Sequence, residues 1–196
     1  MKLQTMPYRK EQFEMNTFYH VYNRGNNKEV IFFEKDNYRY FLQIFKEYLT
    51  ENALLLHSYC LMPNHYHTIV EITDRPELST PLQHCMIAYV KAINKRYNRV
   101  GHLFQDRFKI KKIDSAEYLL HLSRYIHINP LMAKFVSSAE QWQYSSYKNY
   151  ISEIEEAGLT TQFILSHFKD KQDYKNFVEL FVQDKFNEMN NELWLE

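Results

Sequence analysis

The sequence predicts an α+β fold, an antiparallel sheet interleaved with helices and followed by a helical extension. Two kinds of observation carry this. Four short stretches are rich in β-branched and aromatic residues, and the stretches between and after them repeat their apolar residues with helical spacing. The order of the two patterns is strand, helix, strand, strand, helix, strand, then helix. At 196 residues, with 45% apolar and 24% charged residues, the composition is that of a soluble globular chain. The expected division is a main domain over residues 1–150 and a C-terminal helical extension over 151–196.

Thr17 to Arg24 alternates and reads as the first strand, and Gly25-Asn26-Asn27 as the turn that ends it. Val30 to Phe33 reads as a brief extension of the sheet. Lys35 to Thr50 carries Tyr38, Phe41, Leu42, Phe45 and Leu49, a helical spacing. Ala53 to Met62 and His65 to Ile72 are strands, and the Pro63-Asn64 break between them predicts a hairpin. After a loop at 74–77, Ser79-Thr80-Pro81 starts a helix running to about Arg99, ended by Gly101. Phe108 to Ile113 is the fourth strand. Asp114 or Ser115 caps a helix from Ala116 to about Ile128, stopped by Pro130. Helical stretches follow at Thr161 to Phe168 and Asp173 to Met189. The first six elements match a ferredoxin-like split β-α-β, with two helices on one face of the sheet.

The two cysteines, Cys60 and Cys85, do not make a disulfide framework, and Cys60 reads as a buried small hydrophobe. No apolar run reaches the roughly 18 residues of a membrane span. Arg9, Lys10 and Glu11 break up the N-terminal stretch where a signal peptide would need an apolar core. A cytoplasmic protein with no membrane partner is the expectation.

Formal net charge is zero, so the overall balance says nothing about partners, but the distribution does. From Met86 to Lys112 there are eight basic residues and one acid, whereas Ile151 to Glu196 holds ten acids and four bases. A basic middle suits a polyanion. Lys91, Lys95 and Arg99 fall on one helical stripe, and Arg107, Lys109, Lys111 and Lys112 extend the basic surface along the following strand. Arg24 adds to it from the first turn. These are candidate phosphate contacts. Phe104 and Phe108 are either core residues or platforms for unpaired bases.

The chemistry centres on Pro63-Asn64-His65-Tyr66-His67-Thr68. His65 and His67, one residue apart on a strand, point to the same face and can share a divalent metal. Two ligands are too few for a stable site. On the helix after the fourth strand, Leu119, Leu122 and Ile126 form a core stripe beside a second stripe of Tyr118, His121, Tyr125 and Asn129. Tyr125 and Asn129 lie one turn apart on the same face. Asn129 can offer a carbonyl oxygen to a hard cation, and Tyr125 a phenolate nucleophile. Such a set suits phosphodiester transesterification. The bland alternative is a pair of half-exposed strand histidines and one more packing tyrosine among the 16 in the chain.

Pro63-Asn64-His65-Tyr66-His67 resembles the His-hydrophobic-His motif of HUH single-strand endonucleases. Arg124-Tyr125-Ile126-His127-Ile128-Asn129-Pro130 resembles the arginine-tyrosine-x-x-x-asparagine-proline segment of REP-associated tyrosine transposases, a single-tyrosine group. Tyr19-His20-Val21-Tyr22-Asn23-Arg24-Gly25-Asn26 and Trp142-Gln143-Tyr144-Ser145-Ser146-Tyr147 agree with it, so the likeness spans roughly residues 15 to 150. The resemblance implies a ferredoxin-like fold, a Mg²⁺ or Mn²⁺ ion, and cleavage of single-stranded DNA beside a hairpin through a 5′-phosphotyrosine intermediate. It implies Tyr125 as nucleophile and His65, His67 and Asn129 as metal ligands. It is compatible with a monomer or a homodimer. Tyr66 departs from the usual aliphatic residue between the histidines, and as the middle residue it is expected to pack on the opposite face. Two other readings stay open: a hairpin-binding protein that does not cut, and a metal phosphoesterase that uses water.

Overall fold

The computed structural model describes residues 12–74 and 77–189, with side chains up to 182. The signal-peptide reading at Arg9 to Glu11 and the middle of the loop at 74–77 lie outside these residues. The strands are β1 (Thr17–Arg24), β2 (Leu54–Met62), β3 (His65–Ile72) and β4 (Lys109–Ile113). The main helices are α1 (Lys35–Glu51), α2 (Ser79–Arg96), α3 (Ala116–Met132), α4 (Tyr147–Ile151), α5 (Gln162–Leu165) and α6 (Lys171–Met189). All strand pairings are antiparallel, in the order β2-β3-β1-β4. That is the split β-α-β arrangement expected from the element order.

Alternation along each strand sorts side chains between two cores. Tyr19 and Val21 of β1 and Tyr66, Val70 and Ile72 of β3 face α1 and α2. Ile69 of β3 and Ile113 of β4 face α3 and the C-terminal helices. Strand β2 serves both cores through a bulge at His57, where the pairing shifts between Leu56 and Ser58. The extra residue reverses the alternation. Leu54 and Leu56 before it, and Tyr59 and Leu61 after it, therefore point to the same face. Cys60 and Met62 are released to the other.

Tyr66 is fully buried, packs at 4.9 Å on Phe41, and donates its hydroxyl to Met86 Sδ at 3.4 Å. This is the packing role expected of the residue between the histidines. Helix α1 starts with a reciprocal Glu34–Asn37 capping box and buries Tyr38, Phe41, Ile44, Phe45 and Leu49. Ile44 takes an inward place, while Leu42 is only partly covered.

Four local expectations are corrected. Val30 to Phe33 is not a strand; the Ile31 and Phe32 amides instead donate to the Pro63 carbonyl, at 2.8 and 3.1 Å, and clamp the β2–β3 turn. Helix α2 ends at Arg96, because Asn98 turns into the left-handed region (φ 48°) and the Arg99 amide folds back onto the Asn94 carbonyl. Helix α3 runs past Pro130 to Met132. A proline that close to the end removes one backbone donor without ending the helix, and the Ala133 amide still closes onto Asn129. The stretch expected to be helical over Thr161 to Phe168 is helical only over α5.

The same clamp fixes the turn from the β1 side. The Gly25 amide donates to the Asn64 carbonyl at 2.8 Å. A Cβ at Gly25 would lie 2.0 Å from the Glu29 carbonyl oxygen, so the chain can double back here only with glycine. On the far edge, Ser145 bridges Cys60, with Leu61 N donating to Tyr144 O and Ser146 N to Tyr59 O. Trp142 Nε1 donates to Leu61 O, and Tyr144 stacks on Tyr38 at 3.8 Å. The segment 142–147 thus covers the exposed edge of β2.

Candidate catalytic and metal site

His65 and His67 lie on the face of β3 that α3 crosses, paired with Arg24 and Tyr22 of β1. Ser115 starts α3 by accepting the Tyr118 amide, and the buried Leu119, Leu122 and Ile126 hold the helix on the sheet. This seating brings the second stripe over the histidines. Asn129 Oδ1 lies 3.2 Å from His65 Nε2, and the Tyr125 ring meets His67 edge-on at 5.7 Å between centroids. Tyr125 is 43% exposed, so a large substrate can reach its hydroxyl. Four residues from two distant segments of one chain therefore converge.

Burial holds the His65 and His67 imidazoles below the usual histidine range. For His65 the neighbouring Arg24 charge adds to this, against the Asn129 contact; for His67 the other two histidines, His20 and His65, add to it. Both rings are accordingly neutral near pH 7. That matters for protons. His65 Nδ1 lies 2.6 Å from Asn64 Oδ1, and Asn64 is oriented by its Nδ2–H donation to the Lys28 carbonyl at 3.0 Å. The His65 proton therefore sits on Nδ1. Its Nε2 then presents a lone pair towards the Asn129 carboxamide, 3.2 Å away. An imidazole nitrogen and a carboxamide oxygen are both donor types that a divalent cation accepts. Among the described residues no cluster of three His, Cys, Asp or Glu side chains gathers. The set that fits a metal here is two imidazoles and one amide oxygen.

The cations predicted as phosphate contacts divide between the two faces. Arg24 stands beside His65, with its Nε buried and without a hydrogen-bond partner. Lys109 and Lys111 on β4 pair with Tyr22 and His20, on the histidine face. Lys109 lies 5.9 Å over the Tyr22 ring and Lys111 4.7 Å over Tyr118. Arg107 is exposed at the start of that edge. Lys91 and Lys95 are exposed on α2, which packs on the opposite face. Arg99 does not continue their stripe, since α2 has already ended; it lies over Phe33 at 5.4 Å and 3.8 Å from Glu29. Lys112 turns to the α1/α2 side and pairs with Glu14. Phe104 is a core residue and Phe108 packs against the same core.

With this geometry in view, the comparisons are specific. The sequence profile of the family described as IS200-like transposase matches residues 14–129, which holds β1, the histidine strand and α3 through Asn129. The chain belongs to the IS200-like transposase family. Transposases of this family cut and rejoin DNA. No curated protein sequence matches the chain significantly. Among solved structures, it is similar to a REP-associated tyrosine transposase bound to a REP hairpin, with a TM-score of 0.62 at 15% identity. The match covers 79% of this chain and 96% of that one, a likeness of fold.

Two residues around this candidate site are not singled out by the sequence. Asn64 orients His65, as described. His20, 8% exposed on β1, lies with Nε2 2.9 Å from His67 Nδ1, and burial plus the Lys111 charge hold it down to about 4. Strand alternation puts His20 on the correct face and the split β-α-β order puts β1 next to β3, but the register that sets His20 diagonally across from His67 is not written in the sequence.

Proposed function

We propose that this transposase is a metal-dependent single-strand DNA endonuclease and strand transferase acting at hairpin-flanked sites. The observation that supports it best is the convergence of Tyr125 and Asn129 on His65 and His67 across the sheet. His65, His67 and Asn129 would hold Mg²⁺ or Mn²⁺. Bound there, the cation supplies positive charge against a non-bridging phosphate oxygen.

The chain's own residues do the rest. Tyr125 Oη attacks the phosphorus in line, forming the phosphotyrosyl bond as the bond to the 3′-oxygen breaks. The phenol proton is lost to solvent, and the departing 3′-oxygen gains one. The 5′-phosphate stays on the protein, and the retained bond energy lets a 3′-hydroxyl reseal or rejoin the strand without ATP. Arg24, Lys109 and Lys111 flank the site and suit phosphates of the bound strand. Helix α6 would brace α3: its Phe177 and Phe181 sandwich the Arg124 guanidinium at 4.2 and 3.9 Å, next to Tyr125.

The structure similar to this one holds a REP hairpin, and a palindromic single-stranded DNA is the substrate class proposed here. The test uses end-labelled hairpin oligonucleotides with single-stranded flanks. The expected result is a protein–DNA adduct stable to denaturation, dependent on Mg²⁺ or Mn²⁺ and absent in Tyr125→Phe. Cleavage that persists in Tyr125→Phe would move the reading to a water-using phosphoesterase. Tight binding without cleavage across many hairpins would move it to a hairpin-binding protein.

A further inference from the structure

Between His20 Nε2 and His67 Nδ1, 2.9 Å apart, there is room for one proton. Its ownership decides what His67 can do. If His20 donates, a neutral His67 carries its remaining proton on Nε2 and has no lone pair left for a metal. If His67 donates from Nδ1, its Nε2 lone pair is free. Since Nδ1 is occupied by His20, Nε2 is the only nitrogen His67 can offer.

The geometry points to His20 as a positioning residue that accepts the His67 Nδ1 proton and so sets the ring's tautomer and orientation for metal binding. The placement is built by the sheet. His20 pairs with Ile69 on β3, two residues from His67, so its ring reaches His67 diagonally across the strands. The two imidazole planes are inclined by only 22°, which lines up the donor and acceptor in their ring planes. Tyr22 stacks on His20 at 4.5 Å and on His67 at 5.7 Å, so neither ring can swing away freely. On the other histidine, Asn64 does the equivalent task through Nδ1. Both rings are then held with Nδ1 satisfied and Nε2 left as the ligand, one by an amide and one by an imidazole. Partners of this kind commonly change metal affinity by about 10- to 100-fold.

The inference rests on the metal reading above, so the experiment separates the two. Long-range ¹H–¹⁵N spectra of the metal-free protein report the His67 tautomer directly, and Mn²⁺ titration by calorimetry or electron paramagnetic resonance reports affinity. His20→Phe keeps the aromatic stack and removes the acceptor, whereas His20→Gln restores a carbonyl oxygen. The expected result is an Nδ1–H tautomer of His67 in the wild type, loss of that preference in His20→Phe with about 10- to 100-fold weaker Mn²⁺ binding, and recovery of most of both in His20→Gln. An Nε2–H tautomer in the metal-free wild type would overturn the inference. So would wild-type Mn²⁺ affinity in His20→Phe. A wild type with the Nδ1–H tautomer that binds no Mn²⁺ would overturn the metal reading while supporting the control of His67 by His20.

Discussion

Helix α3 has histidine clusters on two sides, and they are built in opposite ways. On the inner side, His127 is fully buried with both nitrogens occupied: Nδ1 lies 2.7 Å from the Tyr174 hydroxyl and Nε2 2.8 Å from Ser146 Oγ. Ser146 in turn ties to the backbone of Tyr59. Every polar atom has a protein partner, so nothing is left for a ligand. On the outer side, His65 and His67 each engage a protein partner through Nδ1, and His65 Nε2 lies 3.2 Å from Asn129 Oδ1. The difference lies in access: His127 is sealed in the core, whereas His65 and His67 are half-buried beside the exposed Tyr125.

That comparison can be broken by substitution. The largest effect is expected at Tyr125: Tyr125→Phe should abolish the covalent adduct on denaturing gels, while circular dichroism shows the variant folded. Next, His127→Ala should cost about 2–4 kcal/mol of stability, because it opens a cavity and takes one hydrogen-bond partner each from Tyr174 and Ser146. His67→Ala, at a half-buried position, should cost less than His127→Ala yet eliminate metal-dependent cleavage. Urea denaturation of the two variants beside cleavage assays measures the contrast; equal destabilisation would end it.

Acid should act on the histidines of both sides of α3. Burial holds His127 down to about 3 against an ordinary value of 6.5. A folded-state value below the unfolded one means that the unfolded chain binds the extra proton first. The stability from a neutral His127 is therefore complete above pH 6.5 and is lost as pH falls from there towards 3, at up to about 1.4 kcal/mol per pH unit. The urea midpoint should drop between pH 7 and pH 5, a loss to which the depressed His20, His65 and His67 also contribute; a flat profile would contradict neutral buried imidazoles on either side of α3.

The smallest effects concern DNA affinity. Lys109→Gln and Lys111→Gln, on the histidine face, should each weaken hairpin binding and lower the salt dependence by about one unit of slope. Lys91→Gln and Lys95→Gln, on the far face, should change it less. An equal loss from both pairs would mean that DNA reaches around to α2.

Most of the fold was legible because its signals are local. The alternation of Thr17 to Arg24, the Pro63-Asn64 turn and the helical spacing of Tyr38, Phe41 and Phe45 each encode one element with few alternatives. Misreadings came where a long-range contact overrode a local pattern. Val30 to Phe33 has strand composition, but its amides are taken by the Pro63 carbonyl. Pro130 reads as a stop, yet α3 is held past it by contacts along its buried face. Lys91, Lys95 and Arg99 looked like one basic stripe until the left-handed Asn98 ended the helix.

What the sequence determined by itself was the inventory: two histidines on one strand face, a tyrosine and an asparagine one helical turn apart, and a split β-α-β order to carry them. Periodicity within an element is enough for that. What only the tertiary structure decided was the meeting of the two pairs, the faces to which the lysines belong, and the partners His20 and Asn64. Those depend on sheet order, on the crossing of α3 and on the direction of single hydrogen bonds. No pattern along the chain encodes the meeting of His20 with His67 or of Asn129 with His65, which join residues 47 and 64 positions apart, and the Asn64–His65 bond, though between neighbours, needs the Lys28 carbonyl to orient the amide.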